Sequence, residues 1–447
     1  MDLMSRRNFM KSTTVAAASV AAGPFIARGF AQNSPNDTIT IASVGIRGRG
    51  QSLYQDFSKL PNVRVGTICD IDEREWPQAV KYLESNTGKA PKTEYDIRRV
   101  LDDKDIDAIV VATPDHWHSL AAIWACQSGK DVYVEKPVCH NLFEGRRLID
   151  AARKYNRVVA SGMQSRSNPV VRAAMKFLQD GKLGEVYMAK ALCFKPRDSI
   201  GHKVNSPAPA GVHYDIWLGP APYRPFNENR FHYNWHWFWD YGDTDMGNQG
   251  VHEMDKARWG LGKTEHPAKI FGTGGYYAWD SDQETPNTQM TTYQYADGKL
   301  LIFEVRGLYS NDEDGIRIGN LYYGSEGWMH LMDKGFYTYF GRKNEPGPKM
   351  EARSTEVVDP SNLAGTGGGS HAANFISCMR SRKWQDLSAE VSEGYLSAAL
   401  CHLGNISYRL GKSLVFDGYA EKFVNDEIAD TYLTRDYRAP FVVPDKV

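Results

Sequence analysis

The strongest constraint on the fold is a short strand that runs directly into a glycine-rich turn. Residues 38–44 are mostly apolar, and the turn over residues 45–50 follows at once. Apolar residues then recur at helical spacing, and a second strand over residues 63–69 ends at Asp70. Such a turn brings backbone N–H groups and a helix N-terminus onto a pyrophosphate, while the acid accepts hydrogen bonds from ribose hydroxyls. The spacing predicts a dinucleotide-binding βαβ unit with cofactor contacts from Gly45, Ile46, Arg47, Gly48, Arg49, Gly50 and Asp70.

One residue of the turn departs from the usual G-x-G-x-x-G pattern, because Arg47 stands where a glycine is expected. We expect Arg47 to swing outward and clamp a phosphate, with Gly48 supplying the backbone freedom. On that hypothesis Arg47→Ala weakens retention of the cofactor. A purely structural strand–turn–helix is the alternative. Asp70 would repel a 2′-phosphate, so NAD is favoured over NADP.

The alternation of strands and helices continues to about residue 160. The strand over residues 108–113 is stopped by Pro114, and the strand over residues 131–134 is followed by Pro137. Carboxyl ends of neighbouring strands in an open parallel sheet are where ligands bind. We therefore expect residues 36–160 to form a Rossmann domain whose cleft is lined by Thr113, Pro114, His116, His118, Glu135 and Lys136. Helix capping is the alternative for His116, and a surface position is the alternative for a lone lysine such as Lys136.

The character of the sequence changes after residue 161. Gln164 and Arg166 follow a turn at Gly162, and we expect them to contact the cofactor and the substrate, respectively. Residues 196–225 are rich in Pro, Gly and His, and long loops in compact domains tend to be functional. A dense aromatic patch follows over residues 231–241. Sugars offer apolar C–H faces and a rim of hydroxyls, so the patch predicts carbohydrate binding by Tyr233, Trp235 and His236; packing beneath a sheet is the alternative.

The last part of the chain predicts further strands and two helices. Residues 291–295, 300–305 and 327–331 alternate as antiparallel strands, with a hairpin turn at Asp297-Gly298. A glycine-rich linker over residues 365–369 precedes the two apolar helical patterns. The predicted fold class is α/β, with an N-terminal Rossmann domain and a second α/β domain.

A metal site is the competing hypothesis for residues 232–252. His232, His236, Asp240, Asp243, Asp245 and His252 all fall in this stretch, and a His-x-x-x-His pair can bind zinc when it is helical. The interleaved Trp and Phe side chains favour stacking instead, so we predict no metal. The chain holds 53 Lys and Arg against 54 Asp and Glu, which gives no electrostatic case for a nucleic-acid partner.

The first 31 residues are expected to be an export signal. Ser5-Arg6-Arg7-Asn8-Phe9-Met10-Lys11 precedes an alanine-rich apolar run that is too short to span a membrane. A twin arginine before such a run is typical of the Tat pathway, which exports folded proteins; a disordered basic tail is the alternative. We therefore expect a periplasmic or otherwise exported protein, with no stable membrane insertion once the signal is removed. No soluble nicotinamide pool is expected there, so the cofactor should stay bound through turnover.

Taken together, the motifs resemble the glucose–fructose oxidoreductase/inositol dehydrogenase (Gfo/Idh/MocA) family. The resemblance rests on Val44-Gly45, Cys69-Asp70, residues 112–116 and above all Glu135-Lys136-Pro137, and it covers roughly residues 36–440. It implies that Lys136 binds the sugar hydroxyl being oxidised and supports proton transfer. It also implies that residues 161–440 form a substrate-binding α+β domain with an open, mostly antiparallel sheet. That sheet is often used for oligomer contacts in the family, and the last helices return beside the Rossmann domain.

The resemblance also assigns the residues that accompany the lysine. The family carries an Asp and, four residues later, a His, which here correspond to Asn248 and His252. An amide cannot take up a proton as a carboxylate can, so His252 is the expected base, while Asn248 orients the histidine or the sugar. His371 and His402 are secondary candidates on the returning helices.

The expected function is an NAD-dependent oxidoreductase that transfers hydride between a bound nicotinamide and a hydroxyl-bearing carbon of a sugar or glycoside, for example the third ring carbon. Two alternatives remain open. One is an NAD-dependent glycoside hydrolase that works by transient oxidation and elimination. The family's α-N-acetylgalactosaminidases work in this way, but they carry a tyrosine where this chain has Gln249. The other is a sugar-binding protein without catalytic activity. A homo-oligomer is expected in each case.

Overall fold

The computed structural model describes residues 38–352 and 370–447. The expected export signal over residues 1–31 and the expected linker over residues 365–369 lie outside this described part of the chain.

The first domain is built on a six-stranded parallel sheet in the order β3-β2-β1-β4-β5-β6. Every residue of the central strands β4 and β5 is buried, as expected for strands covered by helices on both faces. The direction of strand order reverses between β1 and β4, which creates the crevice where such sheets bind ligands. The strands are β1 (Ile39–Val44), β2 (Val63–Cys69), β3 (Lys92–Glu94), β4 (Ala108–Val111), β5 (Asp131–Val134) and β6 (Val159–Ser161).

Helices cover the two faces of this sheet. Local signals set their ends: Asn141 caps one helix by accepting a hydrogen bond from the Glu144 N–H group, and another ends at Gly88 in the left-handed conformation. Pro114 directly precedes a third, which begins at the next residue. The helices are α1 (Arg49–Ser58), α2 (Trp76–Thr87), α3 (Ile97–Asp102), α4 (Asp115–Gln127) and α5 (Leu142–Lys154).

The second domain contains a ten-stranded sheet in the order β14-β13-β12-β11-β7-β10-β9-β8-β15-β16. The neighbours β7 and β10 are parallel and the remaining recorded pairs are antiparallel, which confirms the predicted fold class. The strands are β7 (Val186–Cys193), β8 (Lys269–Gly275), β9 (Thr288–Gln294), β10 (Leu300–Arg306), β11 (Ile318–Gly324), β12 (Gly327–Met332), β13 (Gly335–Phe340), β14 (Glu345–Glu351), β15 (Leu414–Asp417) and β16 (Lys422–Phe423).

One of the remaining helices connects the two domains. The longest, α10, contacts α5 of the first domain and both α8 and β8 of the second, so one hydrophobic core runs through both. A single π-helical turn, Met246–Gly250, leads into α8. Among the described residues, no helix combines the length and apolarity that a membrane span requires. These helices are α6 (Pro169–Gln179), α7 (Tyr214–Leu218), α8 (Val251–Gly260), α9 (His371–Ser381), α10 (Val391–Leu410) and α11 (Glu427–Asp430).

A long segment between β7 and the π-helical turn lies against the first domain. We call residues 194–245 the aromatic segment; its regular structure is limited to α7 and two short 3₁₀ turns, Glu228–Arg230 and His232–Trp237. It has a small hydrophobic core of its own, separate from the main one, formed by Trp217, Leu218, Ala221, Phe226, Phe231, Trp237, Phe238 and Tyr241. Ile71 of the first domain packs against this core, so the segment is attached to the domain that it crosses.

Candidate active site

A cavity of about 410 Å³ lies at the carboxyl ends of β1, β2, β4 and β5, below the aromatic segment. The expected cofactor residues Gly45, Arg47, Gly48, Arg49, Asp70, Thr113, Pro114, His118, Glu135 and Lys136 line it, and so do the expected substrate residues Tyr233, Trp235, His236 and Asn248. One cleft therefore brings together the glycine turn, the Glu-Lys strand end and the aromatic patch. The fingerprint rule places adenosine near Asp70, which puts the nicotinamide end near Lys136.

Two positions of the glycine turn have room for backbone only. Gly45 has φ +79°, and a Cβ there would lie 2.5 Å from the Ala112 carbonyl oxygen. A Cβ on Gly50 would lie 1.9 Å from the carbonyl oxygen of Gly45. Since backbone atoms cannot move away cheaply, both positions require glycine, and the turn leaves its edge open to a ligand. This geometry fits the pyrophosphate of a dinucleotide.

Asp70 is held at the end of β2 by two backbone donors. Its Oδ2 accepts a hydrogen bond from the Ile46 N–H group at 2.9 Å, and its Oδ1 accepts one from the Asp72 N–H group at 3.0 Å. Burial raises the pKa of Asp70 to about 6, against the lowering effect of these donors. Ile46 thus contributes its backbone, since its side chain is buried. The carboxylate is oriented and still lines the cavity, as binding of ribose hydroxyls requires.

Arg47 lines the cavity but does not reach over the glycine turn. Its Nε lies 3.3 Å from Oε1 of Glu75, and its side chain is 46% exposed. The ion pair is a partly exposed one, worth about 0–1 kcal/mol, so it presents little barrier to a rearrangement toward a phosphate. The clamp remains a prediction.

Glu135 anchors the strand end before Lys136. Its Oε1 accepts hydrogen bonds from Arg49 Nε at 2.8 Å and from Gln164 Nε2 at 2.9 Å. Burial opposes ionisation of this carboxyl, but the charges of Arg49 and Lys136 outweigh it and lower its pKa. Gln164 is therefore placed behind Glu135, outside the lining of the cavity, and supports the cofactor site through that residue.

Lys136 projects from the end of β5 into the cavity. Its Nζ donates a hydrogen bond to the backbone carbonyl of Asn248. Burial lowers the pKa of Lys136, although Glu135 and Asp115 act in the opposite direction. A buried amine with a lowered pKa releases its proton more readily than a surface lysine, which suits a group that exchanges protons.

His118 ties the two strand ends together. Its Nε2 lies 2.8 Å from the carbonyl oxygen of Thr113, and its Nδ1 lies 2.6 Å from that of Pro137. The ring thus connects the residue after β4 with the residue after Lys136. Although it lines the cavity, its nitrogens are engaged by the protein, so it fixes the shape of the site.

His116 and Arg166 do not line the cavity, in contrast to the expectation from sequence. His116 is the second residue of α4 and faces the aromatic segment, where Nε2 lies 2.9 Å from the carbonyl oxygen of Trp217. Burial lowers its pKa to about 3. Arg166 is held in a buried ion pair with Asp255, with Nε and Oδ2 2.9 Å apart, and it also contacts Glu393. Both side chains join elements of the fold.

The substrate end of the cavity presents Tyr233, Trp235, His236 and Asn248. His236 stacks on Trp235 with ring centroids 3.6 Å apart. Its Nδ1 lies 2.5 Å from the Tyr233 carbonyl oxygen, which can only accept, so the proton sits on Nδ1 and Nε2 keeps a lone pair. Burial lowers the pKa of His236 to about 3, so the ring is neutral near pH 7. Asn248 Nδ2 lies 3.3 Å from both the Tyr233 hydroxyl and Oδ1 of Asp245.

His252 was expected to contact the substrate, but it is not among the residues that line the cavity. It is the second residue of α8, and its Nδ1 is buried with no hydrogen-bond partner among the described residues. Burial, followed by the nearby charge of Lys136, lowers its pKa to about 3. The ring is close enough to Lys136 to sense its charge, but it is not among the residues described as lining the cavity.

Several lining residues were not predicted as site residues. Asp115 is 1% exposed, its Oδ2 has no partner within the described chain, and burial together with Asp243 raises its pKa. Its sequence signals were its place next to Pro114 at the start of α4 and within residues 112–116, one of the motifs that resemble the family. Most of the others are apolar or aromatic, and they come from elements far apart in sequence: Val44, Cys69, Ile71, Tyr95, Ile97, Ala112, Trp117, Ala121, Ile216, Trp217, Phe231 and His232.

The secondary histidines have structural partners. His371 Nε2 lies 2.8 Å from the Ser161 carbonyl oxygen, and His402 Nδ1 lies 3.3 Å from Oδ1 of Asp243. In the described part of the chain, the ligand atoms of Asp72, Glu75 and His232 come within 4.8 Å of one another. That group shares only His232 with the stretch of the competing metal hypothesis, residues 232–252. Arg74 and Arg47 already pair with its two acids.

Comparison with known proteins identifies both domains. The family model described as "Oxidoreductase family, NAD-binding Rossmann fold" matches residues 39–163. A second, described as "Oxidoreductase family, C-terminal alpha/beta domain", matches residues 187–329 and 346–443. Both carry the name of the family that the motifs resemble.

Three individual proteins are similar to this chain. A glycosyl hydrolase family 109 protein of Solibacter usitatus is 28% identical over 170 residues, which is 35% of this chain and 38% of that protein. The WlbA dehydrogenase of Bordetella pertussis, in complex with NADH and UDP-GlcNAcA, is 20% identical with a TM-score of 0.60, over 85% of this chain and 99% of that one. A levoglucosan dehydrogenase in complex with NADH is 16% identical with a TM-score of 0.63, over 84% and 98%. The two structures establish a shared fold.

Proposed function

The chain belongs to the Gfo/Idh/MocA oxidoreductase family and carries its NAD-binding Rossmann domain, and on that premise we propose that it oxidises or reduces a sugar or glycoside. Bound NAD supplies a hydride acceptor, or in its reduced form a donor. The Rossmann turn fits this cofactor, because the required glycines and the oriented Asp70 lie along one cavity.

The observation that carries the proposal is the position of Lys136. Its amine lies in the cavity between the cofactor end and the aromatic end, and burial lowers its pKa. There it holds the substrate oxygen and takes up the hydroxyl proton during oxidation, or returns it during reduction. Arg49 and Glu135 fix the strand end from which this side chain projects.

A sugar is the proposed substrate because of the groups that face Lys136. Tyr233 and Trp235 offer flat apolar surfaces, while Asn248 and the free Nε2 of His236 offer hydrogen-bonding groups. This mixture suits a ring with C–H faces and several hydroxyls. Two relatives point to related ligands, since one is named a levoglucosan dehydrogenase and another was solved with UDP-GlcNAcA.

Two histidines compete for the role of proton partner to Lys136. We expected His252 from the family pattern, whereas His236 is the one that lines the cavity. The variants His236→Ala and His252→Ala distinguish the two candidates. The variant that lacks the proton partner is expected to have a lower kcat and a flatter dependence of kcat on pH. If only His252→Ala has this effect, His252 is the proton partner, as the family pattern indicates.

Net glycoside hydrolysis is the second candidate function. The sugar would be oxidised transiently, lose its aglycone by elimination, take up water and be reduced again. A specific observation favours it: the first relatives by sequence are named glycosyl hydrolase family 109 proteins. These matches span less than two-fifths of those proteins, and Gln249 stands where we expect a tyrosine in such enzymes.

Location and assembly follow as further proposals. The twin-arginine pattern supports Tat export to the periplasm, where a captive cofactor would be reoxidised by a second carbonyl substrate. The broad sheet of the second domain supports homo-oligomer formation through its face.

One experiment separates the candidate functions. The purified protein is examined for the near-ultraviolet absorbance of bound NADH, and a panel of glycosides is then added. Reduction of the cofactor with an accumulating keto-sugar is the expected result. Release of free monosaccharide without net redox change would instead establish the hydrolase. If the protein holds NAD and binds sugars, but shows no spectral change and forms no product, it is a binding protein and the proposal fails.

A further inference from the structure

The aromatic segment is joined to the adenosine side of the cleft by backbone hydrogen bonds. The Glu73 N–H group donates to the Gly211 carbonyl oxygen at 2.9 Å, and the His213 N–H group donates to the Ile71 carbonyl oxygen at 2.8 Å. Between them, Asp72 and Val212 form an isolated antiparallel bridge. Residues 71–73 follow β2 directly, next to Asp70. The second domain therefore adds a short strand-like strap to the loop where the ribose of a dinucleotide is expected.

Side chains reinforce the same junction. The ring of His213 stacks on Tyr95 with centroids 3.7 Å apart and planes inclined by 8°. Nε2 of His213 lies 2.8 Å from Oε1 of Glu73, and Nε2 of His232 lies 3.2 Å from Oδ2 of Asp72. Tyr95 lies just after β3 and lines the cavity. Two neighbouring strand ends of the Rossmann sheet are thus held by one short piece of the aromatic segment.

The strap is anchored on its other side as well. Nε1 of Trp117 in α4 donates to the carbonyl oxygens of Ile216 and Trp217, both at 3.0 Å. Ile216 and Trp217 also line the cavity. The segment consequently crosses from the ends of β2 and β3 to α4, and its own hydrophobic core stiffens it. A cofactor lying between these strand ends would therefore contact Ile216 and Trp217 of the segment as well as the Rossmann sheet.

We propose that residues 211–217 form a latch that holds the adenosine half of NAD in the cleft, with His213 as the positioning residue at its centre. The proposal rests on the NAD-binding domain of the proposed function but not on any particular substrate. Release of the cofactor then requires the bonds to residues 71–73 and the stack on Tyr95 to open together. The export signal predicts that the cofactor stays bound through turnover. The latch provides a physical cause for this retention within the described chain.

A reversible cross-link tests the latch directly. A Cβ on Gly211 would lie 3.7 Å from Cβ of Glu73, close to the roughly 3.8 Å typical of disulfides, although the φ of +80° at Gly211 means that a cysteine there is strained in both redox states. The double variant Glu73→Cys, Gly211→Cys is loaded with NADH, and release is followed by enzymatic oxidation of whatever NADH becomes free. Release is expected to slow by about tenfold or more when the cross-link forms and to recover on reduction. The same protein serves as its own control, and equal release rates in the two redox states would overturn the proposal.

Single variants provide a second measurement without the cross-link. His213→Ala removes the stack and the bond to Glu73, and it is expected to speed NADH release about tenfold. Tyr95→Phe keeps the ring and should retain wild-type release, whereas Tyr95→Ala should not. His202→Ala is the matched control, since His202 belongs to the same segment but pairs with Asp282 outside the latch. Unchanged release in a folded His213→Ala protein would contradict the latch, and loss of sugar oxidation alone would leave it standing.

Discussion

At the scale of single residues, the proposed function predicts that turnover depends on Lys136. Lys136→Ala is expected to lower kcat by about 10²–10⁴-fold, because the group that holds and moves the hydroxyl proton is lost. NAD should remain bound, since the glycine turn and Asp70 are untouched. Stopped-flow measurement of cofactor reduction checks the first point, and the nucleotide content after gel filtration checks the second.

The control for that variant is Lys92→Ala. Lys92 is an exposed lysine that pairs with Asp103 at 2.7 Å, away from the cavity. Its removal should leave kcat and bound NAD unchanged. Substantial activity in Lys136→Ala would instead remove the lysine from the proposed chemistry.

Asp70 makes NAD binding depend on pH in a defined direction. Burial raises its pKa to about 6 in the free protein, while ribose hydroxyls donate to the ionised form and so lower the pKa in the complex. Protons therefore compete with NAD, and the affinity should fall by up to about tenfold per pH unit below 6 and level off above it. Among its neighbours, Asp72 has a lowered pKa and that of His232 is about 4, so neither titrates near pH 6.

Asp70→Asn tests this assignment. The amide cannot ionise, so binding measured by calorimetry should be weaker at pH 8 and should lose its step near pH 6. A step that persists in Asp70→Asn would belong to another group.

Residue patterns located the residues at strand ends better than the residues whose place depends on long-range contacts. Gly45, Asp70 and Lys136 sit at strand ends, and strand ends can be located from proline, glycine and apolar runs. Arg166 could not be placed, because its partner Asp255 lies 89 residues away and only the fold brings them together. His116 does not line the cavity, because its Nε2 is engaged by the carbonyl oxygen of Trp217, a contact between distant parts of the chain that a sequence does not reveal.

At the scale of elements, a buried ion-pair cluster connects three pieces of the second domain. Asp255 on α8 accepts hydrogen bonds from Arg166 and from Ser397 of α10, and it lies 3.4 Å from Arg258. Asp255→Ala is expected to lower the free energy of unfolding by about 3–5 kcal/mol, since two buried guanidinium groups lose a shared carboxylate. Urea denaturation measures the change.

Asp180→Ala is the matched control for that prediction. Asp180 pairs with Lys176 across one helical turn on the surface, with both side chains exposed. Such pairs contribute about 0.3–0.5 kcal/mol. A loss in Asp255→Ala that is no larger than in the control would mean that the cluster does not stabilise the junction.

Regular elements were predictable where one local signal dominated. The strands over residues 300–305 and 327–331 match β10 and β12, because alternation of apolar and polar residues fixes them. The π-helical turn Met246–Gly250 was not predicted. The wider turn depends on tertiary packing, because a Cβ on Gly250 would lie 2.3 Å from the ring of Phe303.

At the scale of the whole molecule, the two domains should unfold as one unit when NAD is bound. The cavity takes walls from both domains, and α10 packs against both. A ligand at 100 times its Kd stabilises the folded protein by about 2.7 kcal/mol, and here that gain acts on both domains. Calorimetry should show a single transition that moves up as NAD is added. Two transitions, of which only one moves, would contradict this coupling.

The two-domain organisation was predictable, but the contact between the domains was not. Strand and helix order follow from local patterns, and the resemblance supplied the type of second sheet. The aromatic segment was recognised by its length and composition, yet its docking onto residues 71–73 depends on two chain regions about 140 residues apart. Such long-range pairing is visible only in the folded molecule.

The outer strands of the large sheet affect how the protein behaves in concentrated solution. At one side of the described sheet, β14 carries Pro346 and Pro348, which lack N–H donors, among charged residues. At the other side, β16 is two residues long. Edges of this kind offer little template for an added strand. A sheet this wide can therefore remain soluble without recruiting neighbouring molecules into fibrils.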